Sequence, residues 1–235
     1  MNHCNFGMED TIDNPILIIH SNKYSKDRTE NVNKLYSLNP DNATIIDAKF
    51  DFDEDEILYW TDSDNFLCMP SIMYTEKVIG RVGCLLSHIK ALEHIVENKL
   101  NDTIIFEDDA YLKENKLDDL LEALKEKKNQ GDLISAEGHV AYEFPHDYIV
   151  YLGYSQNPKN DWIYCMHSYL IPRWERAEYI LNTINSVKQK KAIDSLLVKY
   201  IQKAGIHYSY YDIFGQNAGY SYIDKKDKKK PGTWV

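Results

Sequence analysis

Two short apolar runs, PILIIH (15–20) and ATIIDA (43–48), open the ordered part of the pattern, and their β-branched content predicts buried strands. TENVNKLYSL lies between them and has the composition of a helix, so the chain begins as a β-α-β unit. The following stretch, DFDEDEILYWTDSDNFLCMP (51–70), is acidic and aperiodic and is read as a surface loop anchored by Leu58, Tyr59 and Trp60. From Val82 to Asn98 the apolar residues Val82, Leu85, Leu86, Ile89, Leu92, Ile95 and Val96 form one stripe at helical spacing. TIIF then predicts a strand that runs into three carboxylates, Glu107, Asp108 and Asp109.

Further on, Lys116 to Lys128 places Leu117, Leu120, Leu121 and Leu124 on one helical face, with Gly131 beyond it for the C-terminal turn, and DLISAE (132–137) reads as a strand. IVYLGYS and WIYCMHSYLIP, separated by the turn-forming QNPKND, predict an antiparallel pair. Pro172 opens a helix carrying Trp174, Ala177, Leu181, Ile184 and Val187. A second helix spans Lys191 to Ala204, and HYSYYDIF is a late strand. The order of elements predicts an α/β fold, largely parallel in its first half and antiparallel in its second.

With 235 residues, 43% hydrophobic and 27% charged, the chain is long enough for one enzyme-sized domain with a substantial core. A net charge of −10 argues against a nucleic-acid partner, because phosphate affinity needs clustered Lys and Arg. An anionic ligand would therefore need a local cation. Cys4, Cys68, Cys84 and Cys165 are scattered without a C-x-x-C pair, which favours a reducing compartment over a disulfide framework. No stretch predicts a signal peptide, a membrane span or a retrieval signal, so a cytoplasmic location is expected. Abundant Asn, Lys, Ile and Tyr point to an AT-rich genome, bacterial or viral. The lysine-rich DKKDKKKPGTWV reads as a solvated, frayed end.

The acidic strand end carries the chemistry. Strand alternation would turn Glu107 and Asp109 together into the volume beyond the carboxyl ends of the strands, where open α/β sheets bind ligands, with Asp108 pointing away. Paired carboxylates there suit a hard divalent cation, Mg²⁺ or Mn²⁺. The same D-x-D spacing recurs at Asp51–Asp53, Asp53–Asp55 and Asp62–Asp64, so only the preceding TIIF distinguishes this site. Helix capping or plain solvation is the alternative use of such acids.

GRVGCLLSHIKALEHIVENKLNDTIIFEDDAYL resembles glycosyltransferase family 25, the lipopolysaccharide-biosynthesis and collagen-galactosyltransferase family. The hallmark is G-x-x-G-C-x-x-S-H, a helix, then a strand ending in E-D-D; Gly80, Gly83, Cys84, Ser87, His88, Glu107, Asp108 and Asp109 match it in order. Weaker likeness extends through LIIHSNKYSKDR, IIDAKF, GDLISAEGH, HSYLIPRWERAEYIL, AIDSLL and DIFGQNAG. The sequence departs from the family pattern at His20, Ser21 and Asn22, and at Arg81, where an acidic residue is usual.

The resemblance implies a GT-A-like nucleotide-diphospho-sugar transferase fold, a mixed central sheet flanked by helices. It would form a single domain over residues 1–223, with a nucleotide-binding half at about 12–138, an acceptor half at 139–223 and a charged tail at 224–235. It also implies an inverting, metal-dependent hexosyltransferase that moves galactose or glucose from a UDP-sugar to a glycan, lipid-linked saccharide or protein acceptor. The implied cofactor is Mn²⁺ or Mg²⁺, with Glu107 and Asp109 as its ligands. Arg28 would meet the diphosphate and Asp47 the nucleoside, with Ser87, His88, Glu107, Asp108 and Gln216 also near substrate. Asp194 is the leading candidate base and Glu137 the second. Bland uses stand beside these: a helix cap for Asp194, a hydrogen-bonded structural role for His88, an ion pair for Arg28, a loop amide for Gln216. Trp162 and Trp174 would stack on sugars or pack in the core. Two rivals remain at this level, a decayed carbohydrate- or nucleotide-binding protein on the same scaffold and a metal-dependent phosphotransfer or nuclease site. The sequence leaves the oligomeric state open.

Overall fold

The computed structural model describes residues 12–22, 28–67, 75–129, 149–153, 167–197, 208–216, 219–221 and 226–228. Strand β1 (Ile16–His20) is flanked by β2 (Ala43–Asp47) and β3 (Thr103–Glu107), parallel to both. Helix α1 (Thr29–Tyr36) connects β1 to β2, completing the β-α-β opening. On the other side of β3 lies β6 (Ser168–Ile171), antiparallel, which pairs in turn with β5 (Ile149–Gly153) in the antiparallel sense that the pattern predicts. β5 then pairs parallel with β7 (Tyr208–Gln216), and β7 antiparallel with β4 (Ala110–Leu112). The result is a mixed seven-stranded sheet in the order β2-β1-β3-β6-β5-β7-β4.

The strands alternate between two cores. Leu17, Ile19 and Ile105 join one with helix α3 (Thr75–Asn98) and helix α5 (Trp174–Ser186). Ile16, Ile18, Ile104 and Phe106 join the other with α1 and helix α4 (Leu117–Asn129). Because both faces are covered, these strands read as unbroken apolar runs rather than as alternating ones. The central sheet is thus flanked by helices on each side, as expected.

One connection decides the shape around the carboxylates. β3 and β4 stand third and seventh in the sheet, yet only Asp108 and Asp109 separate them in sequence. Four strand spacings amount to about 19 Å in a flat sheet, whereas three Cα steps reach about 11 Å at most. The sheet must therefore curl until its far edge returns to β3. The register shift between Tyr151 and Gly153 lies on the intervening strands, and Phe106 of β3 meets Phe214 of β7 with ring centroids 4.7 Å apart.

Several elements differ from the sequence pattern. β2, expected as a buried strand, is the edge strand and buries only Ile46, because among the described residues nothing pairs with its outer side; β4 and β8 (Gly219–Ser221) match no expected strand. The acidic stretch expected as a loop contains helix α2 (Glu54–Thr61), which opens with a capping box: Asp53 accepts from the Glu56 amide at 2.8 Å, and Glu56 accepts from the Asp53 amide at 3.1 Å. Reciprocal capping starts a helix that its weak apolar pattern does not announce; Trp60 packs on the core while Leu58 and Tyr59 stay exposed. Helix α3 begins at Thr75, seven residues before Val82, because Val78 already enters the core. Lys226–Lys228, in the lysine-rich stretch read as a frayed end, form β9 against β8. DLISAE, QNPKND, Gly131, Trp162 and residues 198–204 of the expected second helix lie outside the described residues. No helix among the described residues is long and apolar enough to cross a membrane.

Candidate active site

The parallel strands β2, β1 and β3 end together. His20 is in register with Asp47, and Ile19 with Glu107, so the carboxyl ends of three strands bring His20, Asp47 and Glu107 to one edge. That edge is the ligand-binding side of an open α/β sheet. Asp47 is exposed there, with its carbonyl held by Lys90 Nζ at 3.0 Å.

The ladder stops at Glu107, and Asp108 and Asp109 form the turn into β4. Strand alternation therefore does not govern these carboxylates, and the expected pairing of Glu107 with Asp109 against Asp108 is replaced by another. Asp108 Oδ1 accepts from Arg28 Nη1, which also stands 3.6 Å from Asp109 Oδ2. Asp108 Oδ2 accepts from His20 Nδ1 at 2.9 Å. Asn31 donates to the carbonyls of Asp108 and Ala110 at 2.9 and 2.6 Å. The start of α1 thus grips the turn through Arg28 and Asn31, and Gln216 closes it from β7 by donating to Asp109 Oδ2 at 3.1 Å. Burial alone would lower the Arg28 pKa, but the charges of Asp109, Asp108 and Glu107 and the Asp108 hydrogen bond hold it above its ordinary value. Arg28 is a fixed cation among three acids.

Glu107 faces α3. Its Oε1 lies 3.1 Å from His88 Nε2 and accepts from Cys84 Sγ at 3.6 Å, while His88 Nδ1 meets the Tyr169 hydroxyl at 2.9 Å. Cys84 and His88 are one helical turn apart and so share a face. Burial, followed by Glu107, Asp194 and Asp109, pushes the Cys84 thiol well above its usual range.

Gly83 and Ser87, neighbours in the same motif, do something different. A Cβ at Gly83 would stand 2.5 Å from the Lys49 carbonyl oxygen. Ser87 Oγ accepts from the Lys49 amide at 2.9 Å and donates to the Gly83 carbonyl at 2.6 Å. Both residues seat the segment after β2 on α3, and the buried Ser87 hydroxyl is committed to backbone. The other D-x-D matches are likewise local: Asp53 caps α2, and Asp62 accepts from the Asp64 amide at 2.8 Å.

Asp194 lies in the first turn of a short helix over residues 193–197, with Ala192 at the cap position, where its carbonyl accepts the first intrahelical bond, from Leu196. The helix-capping use that the sequence also offered for Asp194 is not taken. Lys190 positions it, capping the end of α5 through the carbonyls of Ile184 (2.7 Å) and Val187 (2.6 Å) while exchanging backbone hydrogen bonds with Asn65 and Leu67. Asp194 accepts from the Ser195 amide at 2.7 Å. Burial raises its pKa above the usual carboxylate range; the Ser195 amide and Arg81 oppose the rise, and Glu107 adds to it. Asp194 therefore shares the electrostatic surroundings of Glu107. Glu137 lies outside the described residues, and Trp174 packs against the core.

His20, Asn31, Cys84 and Tyr169 join the site without having been singled out from sequence as functional. His20 gave a usable signal, a polar residue closing an apolar strand; its Nε2 is buried and makes no hydrogen bond among the described residues. Asn31 and Tyr169 gave none, because their partners are remote in sequence.

Glu107 and Asp109 offer carboxylate oxygens at the strand-end edge, the donor chemistry that a hard divalent cation takes. No curated protein matches the chain in sequence. A solved structure, described as the crystal structure of a glycosyltransferase involved in the glycosylation of the major capsid of PBCV-1, is similar over 89% of this chain and 98% of that one, at 10% identity and a TM-score of 0.44. The sequence profile of Glycosyltransferase family 25 (LPS biosynthesis protein) matches residues 15–197, a span that holds β1, the G-x-x-G-C-x-x-S-H helix, the carboxylate turn and Asp194. With most of its length and these site residues inside that match, the chain belongs to glycosyltransferase family 25.

Proposed function

We propose that the chain is an inverting, metal-dependent hexosyltransferase that takes galactose or glucose from a UDP-sugar and passes it to a hydroxyl of a glycan, lipid-linked saccharide or protein acceptor. Family membership makes glycosyl transfer its class of activity. The observation that carries the finer reading is the junction of carboxylates and cation at the strand ends, Glu107, Asp108 and Asp109 around Arg28, with Asp194 nearby.

In this reading Arg28 meets the donor diphosphate, a dianionic group that a fixed guanidinium recognises well. Asp108 orients Arg28 and His20 with its two oxygens. Asp109 and Glu107 would hold Mn²⁺ or Mg²⁺, which when bound stabilises the negative charge developing on the leaving diphosphate. Gln216 steadies Asp109. Inversion needs a single displacement, with a base that takes the proton from the acceptor hydroxyl. Asp194 fills that role: burial makes its carboxylate more basic than usual. His88 acts through Glu107, holding it at the α3 side, and exposed Asp47 is available to the nucleoside.

Titration calorimetry of UDP and a panel of UDP-sugars, with and without Mn²⁺, on wild type and Asp109→Ala tests this. The expected result is UDP binding that requires Mn²⁺ and is lost in the variant. A folded wild type that binds no UDP refutes the UDP-sugar donor and favours a decayed binding scaffold.

A further inference from the structure

Besides the oxygen donors of the strand end, the site contains a second donor set of different chemistry. Cys84 Sγ, His88 Nε2 and a Glu107 oxygen all lie within 4.8 Å of one another. We infer that Cys84, His88 and Glu107 form a binding site for a thiophilic divalent cation, of which Zn²⁺ is the type. This goes beyond the proposed sugar transfer and requires no substrate.

Three observations converge on it. Bond lengths of about 2.3 Å to sulfur and about 2.0–2.1 Å to nitrogen and oxygen, in a tetrahedron, give ligand–ligand edges of about 3.5 Å (S to O) and about 3.3 Å (N to O). The observed S–O and N–O separations are 3.6 and 3.1 Å, close to those two edges, and the sulfur and nitrogen lie within 4.8 Å of each other. The ligands also stand on rigid elements. Cys84 and His88 are four residues apart on one face of α3, and Glu107 is fixed by its backbone amide, which donates a hydrogen bond to the His167 carbonyl at 2.9 Å. Finally, the far side of the imidazole is already engaged: His88 Nδ1 meets the Tyr169 hydroxyl at 2.9 Å, inside the sheet. A metal-binding histidine characteristically has such an outer partner, which fixes the tautomer and leaves Nε2 for the ion.

The S, N, O set selects against Mg²⁺ and in favour of zinc-like ions. Three protein ligands leave a fourth position for water, as in open rather than closed zinc sites. Binding expels the Cys84 thiol proton to solvent, and His88 keeps its remaining proton on Nδ1, donated to the Tyr169 oxygen. Glu107 belongs to this set and to the proposed donor-cation set, so it is the residue through which the two ions would communicate.

The test uses the full chain, stripped of metal with a chelator and titrated with Co²⁺, whose thiolate charge-transfer absorption reports a Co–S bond; Zn²⁺ is then added as competitor. The expected result is a charge-transfer band saturating at one ion per chain, displaced by Zn²⁺, absent in Cys84→Ser and retained in Asp109→Ala. Tyr169→Phe should weaken binding by about 10–100-fold. No band in the folded wild type means a hydrogen-bonded trio only and overturns the site. A band that survives Cys84→Ser traces to another cysteine and overturns it too, as does a band lost in folded Asp109→Ala. X-ray absorption of the zinc-loaded wild type reads the same shell without any variant. One sulfur at about 2.3 Å supports the site, and a shell of oxygen and nitrogen alone refutes it. UDP binding enters none of these readouts, so the failure of one proposal is distinguishable from the failure of the other.

Discussion

Replacing Asp194 by Asn separates a base from a local hydrogen-bond acceptor. Asn keeps a side-chain oxygen for the Ser195 amide, whose bond to Asp194 is 2.7 Å, so the loss at this contact should be small against the roughly 1 kcal/mol that such a bond contributes. The charge is another matter. Asp194 has a folded-state pKa above its unfolded value, chiefly through burial. It therefore adds stability only below the unfolded pKa, and that stability is lost as pH rises through the folded pKa. At neutral pH the ionised carboxylate opposes folding, and Asn removes that opposition. Thermal unfolding of Asp194→Asn at pH 7 should give a Tm equal to or above that of wild type, with the difference vanishing toward acid pH. Catalysis should move the opposite way. Loss of a general base typically costs about 10²–10⁴-fold in rate, or about 3–5 kcal/mol in activation free energy. Release of UDP from the preferred donor, measured with an acceptor panel, should fall by that factor while UDP affinity stays near wild type. The acid limb of the wild-type pH–rate profile should sit above the ordinary carboxylate range and disappear in the variant. A variant with near-wild-type turnover, or one destabilised by more than about 2 kcal/mol, would refute the base assignment and leave Asp194 with a structural role only.

Arg28→Ala leaves Asp108 and Asp109 without their shared guanidinium, so calorimetry should show UDP binding weakened by about tenfold or more, with Arg28→Lys restoring only part of it because a point charge does not reproduce the planar fork. Gly83→Ala drives a Cβ toward the Lys49 carbonyl and should cost about 1–3 kcal/mol in denaturant unfolding; an unchanged midpoint would mean that the segment after β2 shifts freely. Asp53→Ala removes half of the capping box on α2 and should cost about 0.5–2 kcal/mol, while Asp53→Asn should recover most of it.

Much of the site was legible in the sequence because it is encoded by contiguous chemistry. Glu107, Asp108 and Asp109 follow TIIF directly, and the largely β-branched strand runs into the first of the three charges and ends there. The capping box of α2 was also present in the letters, as Asp53 and Glu56, but an acidic, aperiodic stretch hid it behind the hydrophobic pattern. The two functions inside one motif were not separable by reading it. Gly83 and Ser87 serve the Lys49 backbone, whereas Cys84 and His88 turn to Glu107, and only the rotation of α3 against β3 distributes them.

By itself the sequence determined β1, β2, β3, β5, β6 and β7, most of the helices and the identity of the acidic strand end, because these depend on side-chain period and on local backbone preference, whereas the three-residue strands β4, β8 and β9 are too short to show a period. It determined the family as well, through a composite motif and not through composition. Tertiary structure decided which carboxylates share a partner. The two-residue link between β3 and β4 forces the sheet to curl, and the curl takes Asp108 and Asp109 out of strand alternation and brings them to one arginine. It also decided that Gln216 meets Asp109 and that Asp194 lies within the field of Glu107. Those contacts join residues far apart in the chain, and their geometry follows from how two packed cores close around one sheet, which no local pattern records.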